Sequence, residues 1–304
     1  MTDVFYWILN ISILGGIIGC ILMLLRSIKT IPKFAVYSLW SVVLIRLIMP
    51  FGVASKYSLL SLISRITSKT VVVDSIVNPN LTMSNFVMAA DSYFPAVYKT
   101  DTLEKIFGVA SVIWLVIAVF LVLIIMVLYF LSMNGIKNSV HIRDNIYYSN
   151  KVRNASVYGI LHPKILIPDN IAEDRLRYIL LHEQVHIKRL DNLWRIVALV
   201  AASVHWFNPL IHVFIHSFFS DMELSCDVKA VKDLSLEERK EYARTLLEHS
   251  IVHKSFVIPA FGGSIIKARV ENILSYKVLS AISSIFFSIF IIIIIITLLT
   301  NSVV

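Results

Sequence analysis

The stretch NIAEDRLRYILLHEQVHIKRLD, residues 170–191, decides how the rest of the sequence is read. Asn170 followed by Glu173 has the spacing of a capping box, which opens a helix that Leu176, Ile179 and Leu180 continue at helical intervals. That helix carries His182-Glu183-Gln184-Val185-His186. Residues four apart stand one turn above the other on one helix face, so the two imidazoles can grip a single Zn²⁺. Glu183, one step round the axis, reaches a water beside the ion more easily than the ion itself, which is what a general base requires. The competing reading is a surface helix with solvated His and Glu. The paired histidines in so polar-poor a chain stand against it.

A hydrolytic zinc keeps three protein ligands and leaves one position open, so a third donor is needed. Asp191, Asp221, Glu223 and Asp227 are the nearby acids. Glu223 is favoured, because Glu223 and Asp227 repeat the i, i+4 spacing and Asp227 can then act on an imidazole N–H from behind; Asp191 can serve the second imidazole in the same way. Cys226 is a possible soft ligand, yet His₂Glu is the usual hydrolytic set, and Cys226 is read as packing. His186 and Glu223 are 37 steps apart, which a straight helix would turn into about 55 Å. The chain must therefore fold back. Asn208-Pro209 is a ready break, so residues 193–207 and 210–226 are predicted as two antiparallel helices of a membrane-associated hairpin. His205, His212 and His216 on that hairpin are read as satisfied core or interfacial residues.

Outward from this centre, the composition changes the solvent. The chain has 304 residues, 57% hydrophobic and 16% charged, against roughly 25% charged in soluble domains. Uncharged runs cover residues 4–25, 107–131 and 278–304, each longer than the ~20 residues that cross a hydrocarbon core. Residues 34–54 make a fourth candidate, interrupted by Arg46, which is read as structural. The first run has its positive residues after it and no small-residue cleavage site, so it stays in the mature chain. Arg26, Lys29 and Lys33 place the loop after the first run in the cytoplasm. Residues 55–106 then form an external loop, residues 132–277, with nineteen basic residues, a cytoplasmic domain, and both termini lie outside. The net charge of +8 accompanies no basic run with interleaved aromatics, so direct nucleic-acid binding is not expected. Cys20 and Cys226 are too few for a disulfide framework.

Between the third run and the zinc helix, residues 139–167 alternate β-type residues with Asp144-Asn145 and Asn150, which predicts a small β-sheet. Gly159 either lets a substrate strand approach its edge or serves an ordinary turn. Downstream, Ser235 with Glu238 caps a helix to about His249, and another runs from about Gly263 to Leu274; both are read as packing. The fold class is thus a mainly α polytopic membrane protein. It has four transmembrane helices, a cytoplasmic zinc protease domain of helices plus a small β-sheet, and the hairpin of residues 193–226.

The combination of His182-Glu183-Gln184-Val185-His186 with Lys188-Arg189-Leu190-Asp191, Trp206-Phe207-Asn208-Pro209 and Glu223-Leu224-Ser225-Cys226-Asp227 resembles the membrane metalloproteases of the BlaR/MecR type, which are gluzincins. Val157-Tyr158-Gly159-Ile160, the run from Pro163 to Pro168, Arg46 to Pro50 and Phe261-Gly262-Gly263-Ser264 match as well. The resemblance implies that His182, His186 and Glu223 bind zinc and Glu183 is the base. It implies a bacterial plasma-membrane protease that responds to an external stimulus, cuts itself and brings about cleavage of a cytoplasmic transcriptional repressor of the winged-helix type. The best-known members carry a penicillin-binding sensor domain after the last span, which is not expected here. The external loop, a separate sensor protein or a further C-terminal piece is then the input. A quality-control endopeptidase of the heat-shock membrane type shares the His-Glu-x-x-His helix and several spans. A non-catalytic receptor or anchor is a third reading, and an intact Glu183 argues against it.

Overall fold

The computed structural model describes residues 2–28, 30–49, 51–52, 55, 57–58, 82–83, 101–134, 136, 139–152, 154–168, 171–252, 262–276 and 281–300. Most of the expected external loop therefore lies outside the described residues. In chain order the elements are α1 (Thr2–Ser27), α2 (Lys33–Ile48), β1 (Phe51–Gly52), β2 (Thr82–Met83), α3 (Asp101–Asn134), β3 (Val140–Arg143), β4 (Ile146–Tyr148), β5 (Ser156–Tyr158), β6 (Lys164–Ile167), α4 (Glu173–Arg189), α5 (Asp191–Val204), α6 (Pro209–Ala230), α7 (Leu236–Val252), α8 (Gly262–Leu274) and α9 (Ala281–Leu299). They form two compact units. The first comprises Met1–Val122, Ala198–His216 and Ser280–Val304, the second Leu123–Val197 and Ser217–Leu279.

In the first unit α1 buries Ile11, Leu14, Ile18 and Leu22, a stripe at intervals of three and four that faces α2. α2 packs on both α1 and α9 and is buried round most of its circumference. That surrounding explains Arg46, which is fully buried and donates from Nη1 to the carbonyl of Leu299 at 3.2 Å. Gly19 permits the closest approach, since a β-carbon there would overlap the Phe214 ring of α6. Two polar side chains inside this unit are tied to neighbouring helices: Asn208 donates to the carbonyl and hydroxyl of Ser12, and His205 Nε2 bonds the carbonyl of Leu47 at 2.9 Å.

Three helical stretches among the described residues are long and apolar enough to cross a membrane: Val4–Ser27, Lys105–Met133 and Ile282–Leu299, of 24, 29 and 18 residues. α3 and α9 expose Val116, Phe120, Ile285 and Phe286, side chains suited to lipid. Within the expected second span, 34–54, the described helix is the 16-residue α2, about 24 Å at 1.5 Å per residue. Met49 caps it in an extended conformation (φ −107, ψ 109), as a residue before proline prefers.

In the second unit β3, β4, β6 and β5 lie side by side in that order. β3 and β4 form an antiparallel hairpin turned at Asp144, β4 and β6 run parallel, and β5 is an antiparallel edge strand with Val157 opposite Ile165. Ile146, Ile165 and Ile167 of this sheet pack against Leu176, Ile179, Leu180 and Ile187 of α4. On its other side α4 presents Leu181 and Val185 to Cys226, Ala230, Tyr242, Ala243 and Ile273 from α6, α7 and α8. α4 is thus held on two faces, and the seam between them carries His182, Glu183 and His186. Its first residue is Glu173 and its cap is Ala172, without a side-chain hydrogen bond; Asn170, the expected cap, lies outside the described residues. The second capping box forms as expected: Ser235 N donates to Glu238 Oε2 at 2.9 Å, and Glu238 N to Ser235 Oγ at 3.3 Å.

Candidate metal centre

His182 and His186 stand one turn apart on α4, with their rings nearly perpendicular and their Nε2 atoms 3.1 Å apart. The chain leaves α4 through Leu190, a left-handed residue (φ 56, ψ 37) whose N–H returns to the carbonyls of His186 and Ile187. That turn starts α5 at Asp191 and brings its buried carboxylate to within 2.6 Å of His186 Nδ1. α6 then delivers Glu223, with Oε2 3.4 Å from His182 Nε2 and Oε1 3.7 Å from His186 Nε2. The two limbs of the interrupted segment meet there, because Arg195 of α5 donates to Glu223 Oε1 at 2.9 Å.

The far nitrogens fix the tautomers. His186 Nδ1 faces a carboxylate and so carries its proton. His182 Nδ1 lies 2.8 Å from the Tyr242 hydroxyl, which itself donates to Asp227 Oδ1 at 2.8 Å, so this nitrogen too is the donor. Both Nε2 lone pairs consequently point at each other, with a carboxylate beside them. Donors bonded at 2.0–2.1 Å in a tetrahedron stand about 3.4 Å apart, so the three groups fit one divalent ion of zinc type. Asp227 serves His182 mainly through Tyr242, its Oδ1 being 3.3 Å from Nδ1. Cys226 is buried, with Sγ 3.6 Å from His182 Nδ1 and 3.5 Å from the His182 carbonyl. It lies on the side of that ring turned toward Tyr242, and its ligand atom is within 4.8 Å of those of the two histidines.

Without a cation the same groups attract protons. Burial opposes charge on His186, but the Glu223 carboxylate and the Asp191 hydrogen bond outweigh it and lift the pKa to about 9. Burial opposes charge on His182 as well, and Cys226, Tyr242 and Asp227 outweigh it in the same direction. Glu223 shows the mirror effect: burial would raise it, whereas Arg269 and the two histidines hold it well below the usual carboxylate range.

Arg269 of α8 grips Asp227 with a two-pronged fork, Nε to Oδ2 at 2.7 Å and Nη2 to Oδ1 at 2.8 Å, and sets Nη1 3.3 Å from Glu223 Oε2. Glu183 lines a cavity of about 230 Å³ together with the histidines, Glu223, Arg195, Arg269 and Val157. Its carboxylate makes no hydrogen bond or ion pair among the described residues. Tyr158 lies within reach of its charge, since burial and Glu183 together raise the phenol's pKa. At the cavity edge Asn192 Nδ2 donates to the carbonyls of Val157 and Gly159, at 3.0 and 3.1 Å. Gly159 itself sits at φ +89, where a β-carbon would crowd the His162 carbonyl at 3.0 Å; the turn alone requires glycine there.

The model of the BlaR1 peptidase M56 family matches residues 6–273. The chain belongs to the M56 peptidase family. Among M56 relatives, a methicillin resistance mecR1 protein of Staphylococcus aureus is 28% identical over 116 residues, 37% of this chain and 20% of that protein. The regulatory protein BlaR1 of Bacillus licheniformis is 28% identical over 138 residues, 42% of this chain and 23% of that protein. BlaR1 of Staphylococcus aureus is 29% identical over 119 residues, 36% and 20% of the two chains. The chain therefore covers only about a fifth of the length of the curated M56 relatives it matches.

Four residues at this centre escape sequence reasoning: Tyr242, Arg269, Arg195 and Asn192. One signal was available. Arg269 falls on the Ile266–Val270–Ile273 face of α8, where a cation on an otherwise apolar stripe demands an acidic partner.

Proposed function

We propose that this chain is a membrane-embedded zinc metalloendopeptidase of a signalling kind, which cuts itself, brings about cleavage of a cytoplasmic transcriptional repressor, or does both. The observation that carries the reading is the convergence of His182 Nε2, His186 Nε2 and the Glu223 carboxylate, no pair more than 3.7 Å apart, in a cavity shared with Glu183, whose carboxylate makes no hydrogen bond or ion pair among the described residues. His182, His186 and Glu223 would hold the ion. When bound, zinc lowers the pKa of water to about 7 and polarises a carbonyl.

Glu183 takes the proton of the attacking water and passes it to the leaving amine. Asp191 and the Tyr242–Asp227 pair keep both rings in the tautomer that offers Nε2. The cavity that Val157 and Glu183 line receives the substrate, without a strand paired to the Val157 and Gly159 carbonyls, which Asn192 already holds. The relatives' names, methicillin resistance mecR1 protein and regulatory protein BlaR1, support a regulatory role. The positive-inside rule supports four spans with the protease domain in the cytoplasm and both termini outside, α2 serving as the second span inside a ring of neighbours. A separate sensor protein or the 55–106 loop supplies the input.

The test is Glu183→Gln in the full chain, purified in detergent. Proteolysis should vanish while one zinc per chain remains. Equal proteolysis by this variant removes the enzyme reading, and an absence of zinc from the wild type removes the metal site.

A further inference from the structure

Hydrolysis of a peptide passes through a tetrahedral oxyanion that needs a hydrogen-bond donor, and the groups already assigned leave that role vacant. The Tyr242 proton is spent on Asp227, and Tyr158 is not among the described residues that line the cavity. Arg269 is different. A guanidinium has five N–H bonds; this one gives two to Asp227, from Nε and Nη2, and holds Nη1 in an ion pair 3.3 Å from Glu223 Oε2. The next acceptor near Nη2 is His182 Nε2, at 3.4 Å, whose lone pair belongs to the cation when the site is loaded. Arg269 thus stands at the margin of the donor set and lines the cavity, and among the described residues its Nη1 hydrogens are held by nothing beyond the ion pair with Glu223.

We propose that Arg269 is the oxyanion donor of this site, an assignment that rests on the metallopeptidase reading. As the water oxygen bonds to the scissile carbon, the water proton moves to Glu183 and the π-electron pair of the carbonyl moves onto its oxygen. Arg269 donates an N–H to that oxygen. The pair then re-forms the C=O bond as the C–N bond breaks, and the proton on Glu183 goes to the departing nitrogen. The fork on Asp227 fixes the plane of the guanidinium, so the donor is in place before the charge develops.

The test uses the full chain loaded with cobalt, whose visible absorption reports ligands arriving at the ion without any need for turnover. Inorganic phosphate serves as a tetrahedral oxyanion and imidazole as a neutral ligand. With Arg269→Gln and Arg269→Lys, phosphate affinity should fall at least about tenfold, as for loss of a charge-assisted bond, while imidazole affinity stays within twofold of wild type. Where cleavage is measured, kcat should fall about 10²–10³-fold with KM little changed. Phosphate binding unchanged, or both ligands weakened alike, overturns the assignment. Loss of cobalt from both variants also overturns it, in favour of a positioning role through Asp227. A wild-type chain that takes up no cobalt overturns the metal reading itself, a result separate from these.

Discussion

The Asp191 carboxylate closes on Nδ1 of His186 at 2.6 Å, across a single left-handed residue that ends one helix and begins the next. A proposed ligand and the group that orients it are thereby joined by five residues of chain, with no distant element required. Asp191 also accepts from Arg189 Nε at 3.2 Å, so its charge is balanced from the same turn. Removing the carboxylate with Asp191→Ala should weaken zinc binding about 10–100-fold, the usual cost of losing such a support. Asp191→Asn, which still offers an oxygen to the imidazole N–H, should lose less. Competition against a chelator of known affinity checks both, and equal losses would mean that the hydrogen bond is not what matters.

Leu190 carries the strain of that turn. A non-glycine residue in the left-handed region costs roughly 1–2 kcal/mol, and this side chain is 52% exposed and contributes little burial in return. Leu190→Gly should raise the melting temperature, and Leu190→Ile, whose branched β-carbon suits the region worst, should lower it. Thermal unfolding of the zinc-loaded protein decides; a lower value for the glycine variant would show that Leu190 makes contacts the strain argument omits.

The pH response follows from His186. Its pKa in the fold, about 9, lies above the ordinary 6.5, so in metal-stripped protein its stabilising charge is fully present below pH 6.5 and is lost as pH rises through about 9. Stripped protein should therefore melt progressively lower across that interval. Zinc displaces the proton, so apparent zinc affinity should weaken about tenfold per pH unit below 9 for each proton released. Melting curves and zinc titrations from pH 6.5 to 9 test the two signs, and a flat response in both would remove proton–metal competition at this imidazole.

Tyr242→Phe isolates the link between Asp227 and His182. The phenyl ring keeps its place among Val185, Ala243 and Ile273, while the hydroxyl that passes the carboxylate's influence to Nδ1 is gone. Zinc affinity should drop by about tenfold, at the low end for a supporting partner. Asp227 keeps its fork with Arg269, so the fold should survive. Chelator competition with a melting curve separates these effects; unchanged affinity would place the support of His182 elsewhere.

Gly19→Val probes the first unit alone. The added methyls would overlap the Phe214 ring and force α1 and α6 apart, a steric insult of about 1–3 kcal/mol in a close-packed interface. Stability in detergent should fall. An unaltered melting temperature would show that Phe214 simply turns aside.

Much of this was legible because it is periodic. The apolar stripe of α4 and the pairing of His182 with His186 follow from a repeat of 3.6, and the fold-back follows from Asn208-Pro209, where α6 indeed begins at Pro209. Within the apolar run 34–54 the helix itself ends at Ile48, in keeping with the restriction that Pro50 places on Met49. The spacing of Asn170 and Glu173 does announce a helix, which begins at Glu173 with Ala172 as its cap. Arg195, Tyr242 and the partner of Arg269 are illegible for a different cause. Each belongs to a helix whose buried face is readable, yet no local pattern states which buried faces meet.

The amide of Asn192 has one more effect, at the margin of the sheet. Stray polypeptide adds itself to sheet borders through unclaimed carbonyls and amides, and that is how fibres start. A molecule confined to a bilayer collides with its own copies in two dimensions, where crowding is severe. With the oxygens of Val157 and Gly159 already claimed, a neighbouring copy finds two fewer acceptors there to zip onto.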